Sequence, residues 1–347
     1  MIHLKPELMQ PLREAAAQND PQQMQSAIQD SLQKAIALEF ATIPTYLYAY
    51  WSLQPGTPSQ KNPTQLNLIH SIVLQEMFHL AIASNILNAV GGSPKIVGAV
   101  PTYPGPLPGG VESGVIVPLS PFSLDLVKNV FMVIEEPEDP INFPTTSALT
   151  TPIPTLTIGM FYDAISKLIG QAGQGIFTGS QDRQVVMGDA KKITDVASAQ
   201  AGIETIVTQG EGTTKSPDTE GGELSHFYKF EEISKQATLK KDPNEPLGFS
   251  FGPPLSIRFD ATGVHPVITN PTASSYAPGS EANDKNTTFN QDFTSMVKHL
   301  QTGFTGSPHD IGIAIGTMRK LTRDARALMA ISIGNGQYAG PTFTYLP

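Results

Sequence analysis

Glu76-Met-Phe-His79 and Glu223-Leu-Ser-His226 set a carboxylate and an imidazole three residues apart twice, in a chain with only seven histidines. On a helix, residues three apart are surface neighbours, so each pair presents two donor groups on one face. A single pair of this kind is common on solvated helix faces. Two of them restrict the chain far more. Facing helices that each turn such a pair inward, backed by a carboxylate from each of two further helices, build the dinuclear carboxylate site of a four-helix bundle. The chain has no cysteine. Thiolate sites, disulfides and iron–sulfur clusters are thereby excluded, and any metal must be held by histidine, carboxylate and water.

The local signals fit such a bundle. Asp20 reads as an N-cap with Pro21 in the first helical position, where its missing N–H costs nothing. Leu32, Ile36, Ile43 and Leu47 then recur with helical spacing, and Glu39 interrupts their apolar stripe. An unpaired charge there would be costly, which makes Glu39 a candidate ligand. Pro44 removes the bond to the carbonyl of Phe40 and is expected to kink this helix. A second helix is predicted from Pro63 to Val90, stopped by Gly91-Gly92. Glu39 and Glu76 lie about 19 residues either side of Thr57, so an antiparallel hairpin brings them level.

From Ser93 to Pro154 proline and glycine dominate, with a short helical stretch over Ser123–Val130. This reads as a long crossover. Helices are predicted over Thr157–Leu168, Ala197–Val207, Glu223–Gln236 and Gln291–Leu300, and from Ser307-Pro308 to Ile331. The expected architecture is mainly α. Residues 1–240 form a helical bundle with a crossover at 93–154, and 241–347 form a loop-rich extension packed on it as part of one structural unit. Phe249, Phe251, Phe259, Phe289 and Phe293 would anchor the extension.

The bundle pattern wants a second bridging carboxylate, and Glu211 in Gln-Gly-Glu-Gly and Glu204 are both open candidates. Tyr46, Tyr48, Tyr50 and Trp51 either wall a pocket or form ordinary aromatic core. The remaining histidines (His3, His70, His265, His299, His309) have no partner at ligand spacing and read as surface or core residues.

Twenty-two Lys and Arg against 31 Asp and Glu leave a net charge of −9 without a basic cluster, so nucleic acid is not an expected partner. No run approaches 18 apolar residues and the N-terminus lacks an apolar signal core, so a cytoplasmic protein with no membrane partner is expected. A homo-oligomer stays open.

Several stretches together resemble one family: LEFATIPTYLYAYWSL, LQEMFHLAIASNILNAVGGSP, VPTYPGPLPGGV, IEEPE, QGEGT, ELSHFYKFEEI and AGPTFTY. In this ordered set, spread over almost the whole chain, the sequence is similar to the ferritin-like family that includes iminophenyl-pyruvate dimer synthases and the related synthases of bisindole pathways. The resemblance implies a ferritin-like four-helix bundle and oxidative coupling of two aryl-pyruvate imines made upstream by an amino-acid oxidase. It implies metal ligation by Glu39, Glu76, His79, Glu223 and His226. In TIGMFYDAI, Met160 stands where relatives often carry an acidic or amide residue. A thioether suits hard metals poorly, so a mononuclear or asymmetric site is an alternative.

Three functions follow as expectations. The first is a non-haem, metal-dependent oxidase, with a di-iron centre or another divalent metal, a small aromatic substrate and dioxygen. The second is an iron-binding or iron-oxidising protein without an organic substrate. The third is a scaffold with a residual site.

Overall fold

The computed structural model describes residues 6–54, 62–111, 114–137, 156–212, 216–219, 221–245, 248–255 and 258–347. The turn at Thr57 and the crossover stretch 138–155 lie outside them.

A helix that the polar N-terminus did not announce, α1 (Pro6–Gln18), precedes the expected pair α2 (Pro21–Ser52) and α3 (Pro63–Ala89). The Asp20 carboxylate caps α2 by accepting from the Gln22 and Gln23 amides, at 2.8 and 3.4 Å. Helix α2 runs through Pro44 without interruption, and almost every side chain from Leu38 to Ser52 is buried. A helix apolar all round belongs inside a molecule. Helix α3 is long and apolar enough to cross a membrane, but more than half of it is packed inside the protein.

The crossover carries strands β1 (Gly105–Pro106) and β2 (Ile116–Val117), paired antiparallel. It then winds through α4 (Leu124–Leu126), a π-helical turn (Val127–Phe131) and α5 (Met132–Ile134), with the Ser123 hydroxyl accepting from the Leu126 amide. Next come α6 (Ile158–Ala172), α7 (Val196–Gly210) and α8 (His226–Lys235). Helices α2, α3, α7 and α6 pack as a closed ring, α2 on α3, α3 on α7, α7 on α6 and α6 on α2. That ring is the bundle, and α1 lies against α2 and α6.

Beyond α8, β3 (Ala237–Lys241) and β4 (Phe249–Pro254) form an antiparallel hairpin over a small cluster of Phe227, Tyr228 and Leu239. Helices α9 (Glu281–Thr305) and α10 (Asp310–Leu328) pair with each other, and β5 (Ser332–Gly334) and β6 (Gln337–Tyr338) follow. Helix α9 begins ten residues before its predicted start, because Ser280 caps it by accepting from the Asn283 amide at 3.2 Å. It rests on α3 and α10 rests on α2. Phe289 and Phe293 join the main core, whereas Phe249 and Phe251 serve the hairpin cluster.

Candidate metal centre

Glu39 on α2 and Glu76 and His79 on α3 meet where the hairpin pairs them, as the register requires, and all three are buried. The wall opposite does not follow the expected pattern. Helix α8 starts at His226, with Ser225 in the N-cap position, so Glu223 lies before the helix and not one turn back along its face. The Glu223 side chain is 66% exposed and pairs with Lys229 at 3.5 Å. Spacing of three residues places groups together only inside a helix. His226 reaches the site and Glu223 does not.

The carboxylate beside His226 is Glu135, which the crossover delivers. It stands immediately after α5, where the π turn has shifted the chain's facing, a device that recurs at functional sites. Three rings lock this segment: Tyr46 lies 4.7 Å from Phe131 and 5.3 Å from Phe230, and those two lie 5.3 Å apart. The Tyr46 hydroxyl donates to Glu135 Oε1 at 2.5 Å. Burial, then the Glu135 charge, holds that phenol far above its ordinary pKa, so it remains a donor.

Glu211 also faces the site cavity, from the C-cap of α7. Its Oε1 accepts from the Gly159 amide at 2.5 Å. In the Gln-Gly-Glu-Gly motif, Gly212 takes a φ of +82°, a left-handed turn that ends α7. Glu204, the other candidate, is exposed on the flank of α7 in a polar cleft. Met160 lines a groove against Met9 and Leu12 of α1 and is absent from the site wall.

Glu76 stands in the middle. Its Oε1 lies 2.8 Å from His226 Nδ1, and its Oε2 accepts from the Thr42 hydroxyl at 2.9 Å. His226 Nδ1 is also 3.5 Å from Glu135 Oε2, and His79 Nδ1 is 3.5 Å from Glu39 Oε2. Glu39 in turn accepts from the Tyr162 hydroxyl at 2.6 Å. The two imidazoles stack with centroids 5.4 Å apart. Ligand atoms of Glu76, His79 and His226 all fall within 4.8 Å of one another, and a void of about 20 Å³ is lined by Glu39, Glu76, His79, Glu135 and Glu211. A space of roughly 10–15 Å³ already holds one water, so an ion fits and an aromatic ring does not.

The outer nitrogens of both histidines are held. His79 Nε2 lies 2.9 Å from Gln209 Oε1, and Gln209 donates its amide to Asp189 at 2.8 Å. His226 Nε2 lies 3.1 Å from Gln75 Oε1, to which Lys229 donates at 2.8 Å. In each case a charged neighbour fixes the amide with its oxygen toward the ring. The ring then donates from Nε2, and its Nδ1 is turned toward the carboxylates. Among the described residues, His226 Nδ1 is buried without a hydrogen-bond partner despite its close carboxylate neighbours.

The charge balance points the same way. Among the described residues, the only ion-pair partners of Glu39, Glu76 and Glu135 are these two histidines. Burial, then the charges of Glu135 and Glu39, raises the Glu76 pKa well above the carboxylate range. Burial opposes the His79 imidazolium, but the Glu39 hydrogen bond and the Glu76 charge outweigh it and raise its pKa. Crowded buried carboxylates with imidazole nitrogens turned toward them are a donor set suited to a cation.

A family model described as ferritin-like matches residues 32–235, from within α2 to the end of α8. Among solved structures, a crystal structure of a ferritin-like protein from Caulobacter vibrioides is similar at 25% identity. That similarity covers 92% of this chain and 97% of the other, with a TM-score of 0.61. Comparison with curated proteins gives no match.

Proposed function

The chain belongs to the ferritin-like family, and from that premise we propose that it is a metal-dependent oxidase or oxidative coupling enzyme, iron being the expected metal. The observation that carries this reading is the position of Glu76 between two half-sites. Glu39 and His79 stand on one side, and Glu135 and His226 on the other. One carboxylate flanked by two Glu/His pairs is a donor set that would suit more than one ion. When bound there, iron would supply one-electron chemistry and an open position for dioxygen.

The chain's own residues do the positioning. Tyr162 and Tyr46 hold Glu39 and Glu135 by their hydroxyls, Thr42 holds Glu76, and Gln209 and Gln75 aim the imidazoles. Glu211 faces the same void and is a further candidate ligand. An organic substrate would have to sit outside this void. The polar cleft of about 570 Å³ lined by Gln75, Gln209, Asp189 and Lys191 has the room, and its two glutamines are the partners of His226 and His79. The sequence resemblance suggests a small aromatic imine as that substrate. The small void favours a second reading, a metal-binding or iron-oxidising protein with no organic substrate.

Anaerobic loading with ferrous iron is expected to give between one and two equivalents bound. Glu76→Ala with His79→Ala should abolish binding, and Glu135→Ala should weaken it at least tenfold. Glu223→Ala should leave it unchanged. Full binding by the Glu76/His79 double variant would overturn the site. Oxygen consumption that requires an added aryl-pyruvate imine marks the coupling enzyme, and consumption by ferrous iron alone marks the second reading.

A further inference from the structure

Both histidines of the candidate centre are held by glutamines, but the charge behind each glutamine differs in sign. Behind Gln209 stands an anion. Its Nε2 donates to Asp189 Oδ2 at 2.8 Å, and its Oε1 lies 2.9 Å from His79 Nε2. Behind Gln75 stands a cation. Lys229 Nζ donates at 2.8 Å to the same Oε1 that lies 3.1 Å from His226 Nε2. None of these four residues lines the void of the centre, so each acts on it through an imidazole.

The two arrangements have opposite effects on the ring. An acceptor that pulls on the Nε2–H makes the imidazole a more basic ligand. Donation from Gln209 to a carboxylate polarises the amide, so its oxygen accepts more strongly from His79. On the other side two donors share one oxygen, and the ammonium draws its charge away. The His226 N–H therefore meets a weaker acceptor, and its contact is the longer of the two. Burial weights the two charges unequally, since a buried charge is screened less. Lys229 is buried, whereas Asp189 is exposed. The anions near Lys229 offset it only in part. Glu223 is exposed, and Glu232 is engaged by the Leu239 amide, which donates to it at 2.7 Å.

We propose that Asp189 and Lys229 are positioning residues that tune the two imidazoles in opposite senses, Asp189 strengthening His79 as a ligand to a cation and Lys229 weakening His226. The inference rests on reading the site as a metal centre. Its consequence is a centre whose two histidines hold a cation unequally, with His79 the stronger ligand. The difference is set by charge outside the void and not by the ligand types, which are the same on both sides.

Cobaltous ion, an air-stable stand-in for ferrous iron, is the probe, titrated by calorimetry. Asp189→Asn and Lys229→Gln each remove a charge and keep a hydrogen-bonding group. Asp189→Asn is expected to weaken cobalt binding about two- to fivefold, the worth of an exposed charge. Lys229→Gln is expected to tighten it about tenfold, the lower end of what outer partners of ligands contribute. Damaged packing does not tighten binding, so this gain separates tuning from a structural role. A second readout needs no metal: the imidazole Nε2–H protons of nitrogen-15-labelled protein. The His79 proton should move upfield in Asp189→Asn, and the His226 proton downfield in Lys229→Gln. Should Lys229→Gln not fold, Lys229→Met takes its place with the same expected signs. A parent that binds no cobalt would defeat the metal reading, and the proton shifts would then judge the tuning alone. Cobalt binding unchanged or weakened in Lys229→Gln overturns the proposal, as do ring protons that stay in place or move the other way.

Discussion

Glu76 illustrates how a single residue couples the site to the stability of the whole chain. Its folded pKa is raised by burial first and by the Glu135 and Glu39 charges next. A carboxylic acid with a raised folded pKa binds its proton more tightly in the native state. Its contribution to stability is therefore complete below the unfolded value near about 4.3 and is lost as pH rises through the folded value. His79 has the same sign, because its folded pKa is raised above the unfolded value of about 6.5. The metal-free protein should lose stability as pH climbs from acid toward neutral and beyond. Metal ligation needs the deprotonated groups, so affinity should rise over the same window. Melting temperatures of metal-free protein between pH 5 and 9 should fall, and the fall should shrink in Glu76→Gln, which cannot titrate. A metal-free profile that is flat, or equally steep in both proteins, would contradict this account of the buried carboxylates.

At the scale of elements, the parts written in helical periodicity were legible. The α2–α3 hairpin follows from its stripe, its caps and its register, and that register alone brings Glu39 level with Glu76 and His79. The far wall was not legible, because it depends on where helices begin. The spacing of Glu223 and His226 satisfies a helical template, yet the helix starts at His226. Ser225, a good N-cap residue, was the available signal that it does so. Glu135 was hidden for another reason: it sits beside proline in a crossover, and a π turn that no simple period encodes brings it round. Only its place in the IEEPE stretch marked it. Met160, read as a departure at the site, instead faces α1, and the residues of that segment that touch the site's carboxylates are Tyr162, on Glu39, and Gly159, on Glu211. A Cβ at Gly159 would lie 2.7 Å from Glu211 Cδ. Gly159→Ala is therefore expected to cost about 1–3 kcal/mol, as overpacking does, and to loosen iron binding by displacing Glu211. Denaturant midpoints and iron isotherms check both effects. A variant with parental stability and affinity would show that Glu211 has room to move and is not fixed by α6.

At the scale of the molecule, the question is whether the last hundred residues are an appendage or part of the fold. Helix α9 lies on α3 and α10 on α2, and one continuous core contains Phe40, Trp51 and Ile69 of the hairpin together with Phe289, Phe293, Leu300 and Leu321 of the extension. Polar ties cross the same boundary: Asn88 donates to the Phe304 carbonyl at 2.9 Å, and Gln301 accepts from the Ile96 amide at 2.8 Å. The aromatic run on α2 read as either pocket wall or core. Tyr46 packs beside the candidate metal centre and Trp51 lines an apolar cavity beneath the α9–α10 hairpin, so both roles divide along one helix. The crossover supplies Glu135 to the wall of the candidate metal site, whereas the extension walls the other cavity, and none of its described residues lines the void beside Glu39 and Glu76. If the chain is one cooperative unit, removing residues 241–347 uncovers a contiguous apolar face of α2 and α3, and such faces drive aggregation. The truncated chain should be insoluble, or soluble only as aggregates that bind a hydrophobic dye. The full chain should unfold in a single transition, seen alike by Trp51 fluorescence beneath the extension and by helical circular dichroism across the bundle. A soluble truncation that melts cooperatively and still binds iron would make the extension an independent body, and the metal centre would then owe it nothing.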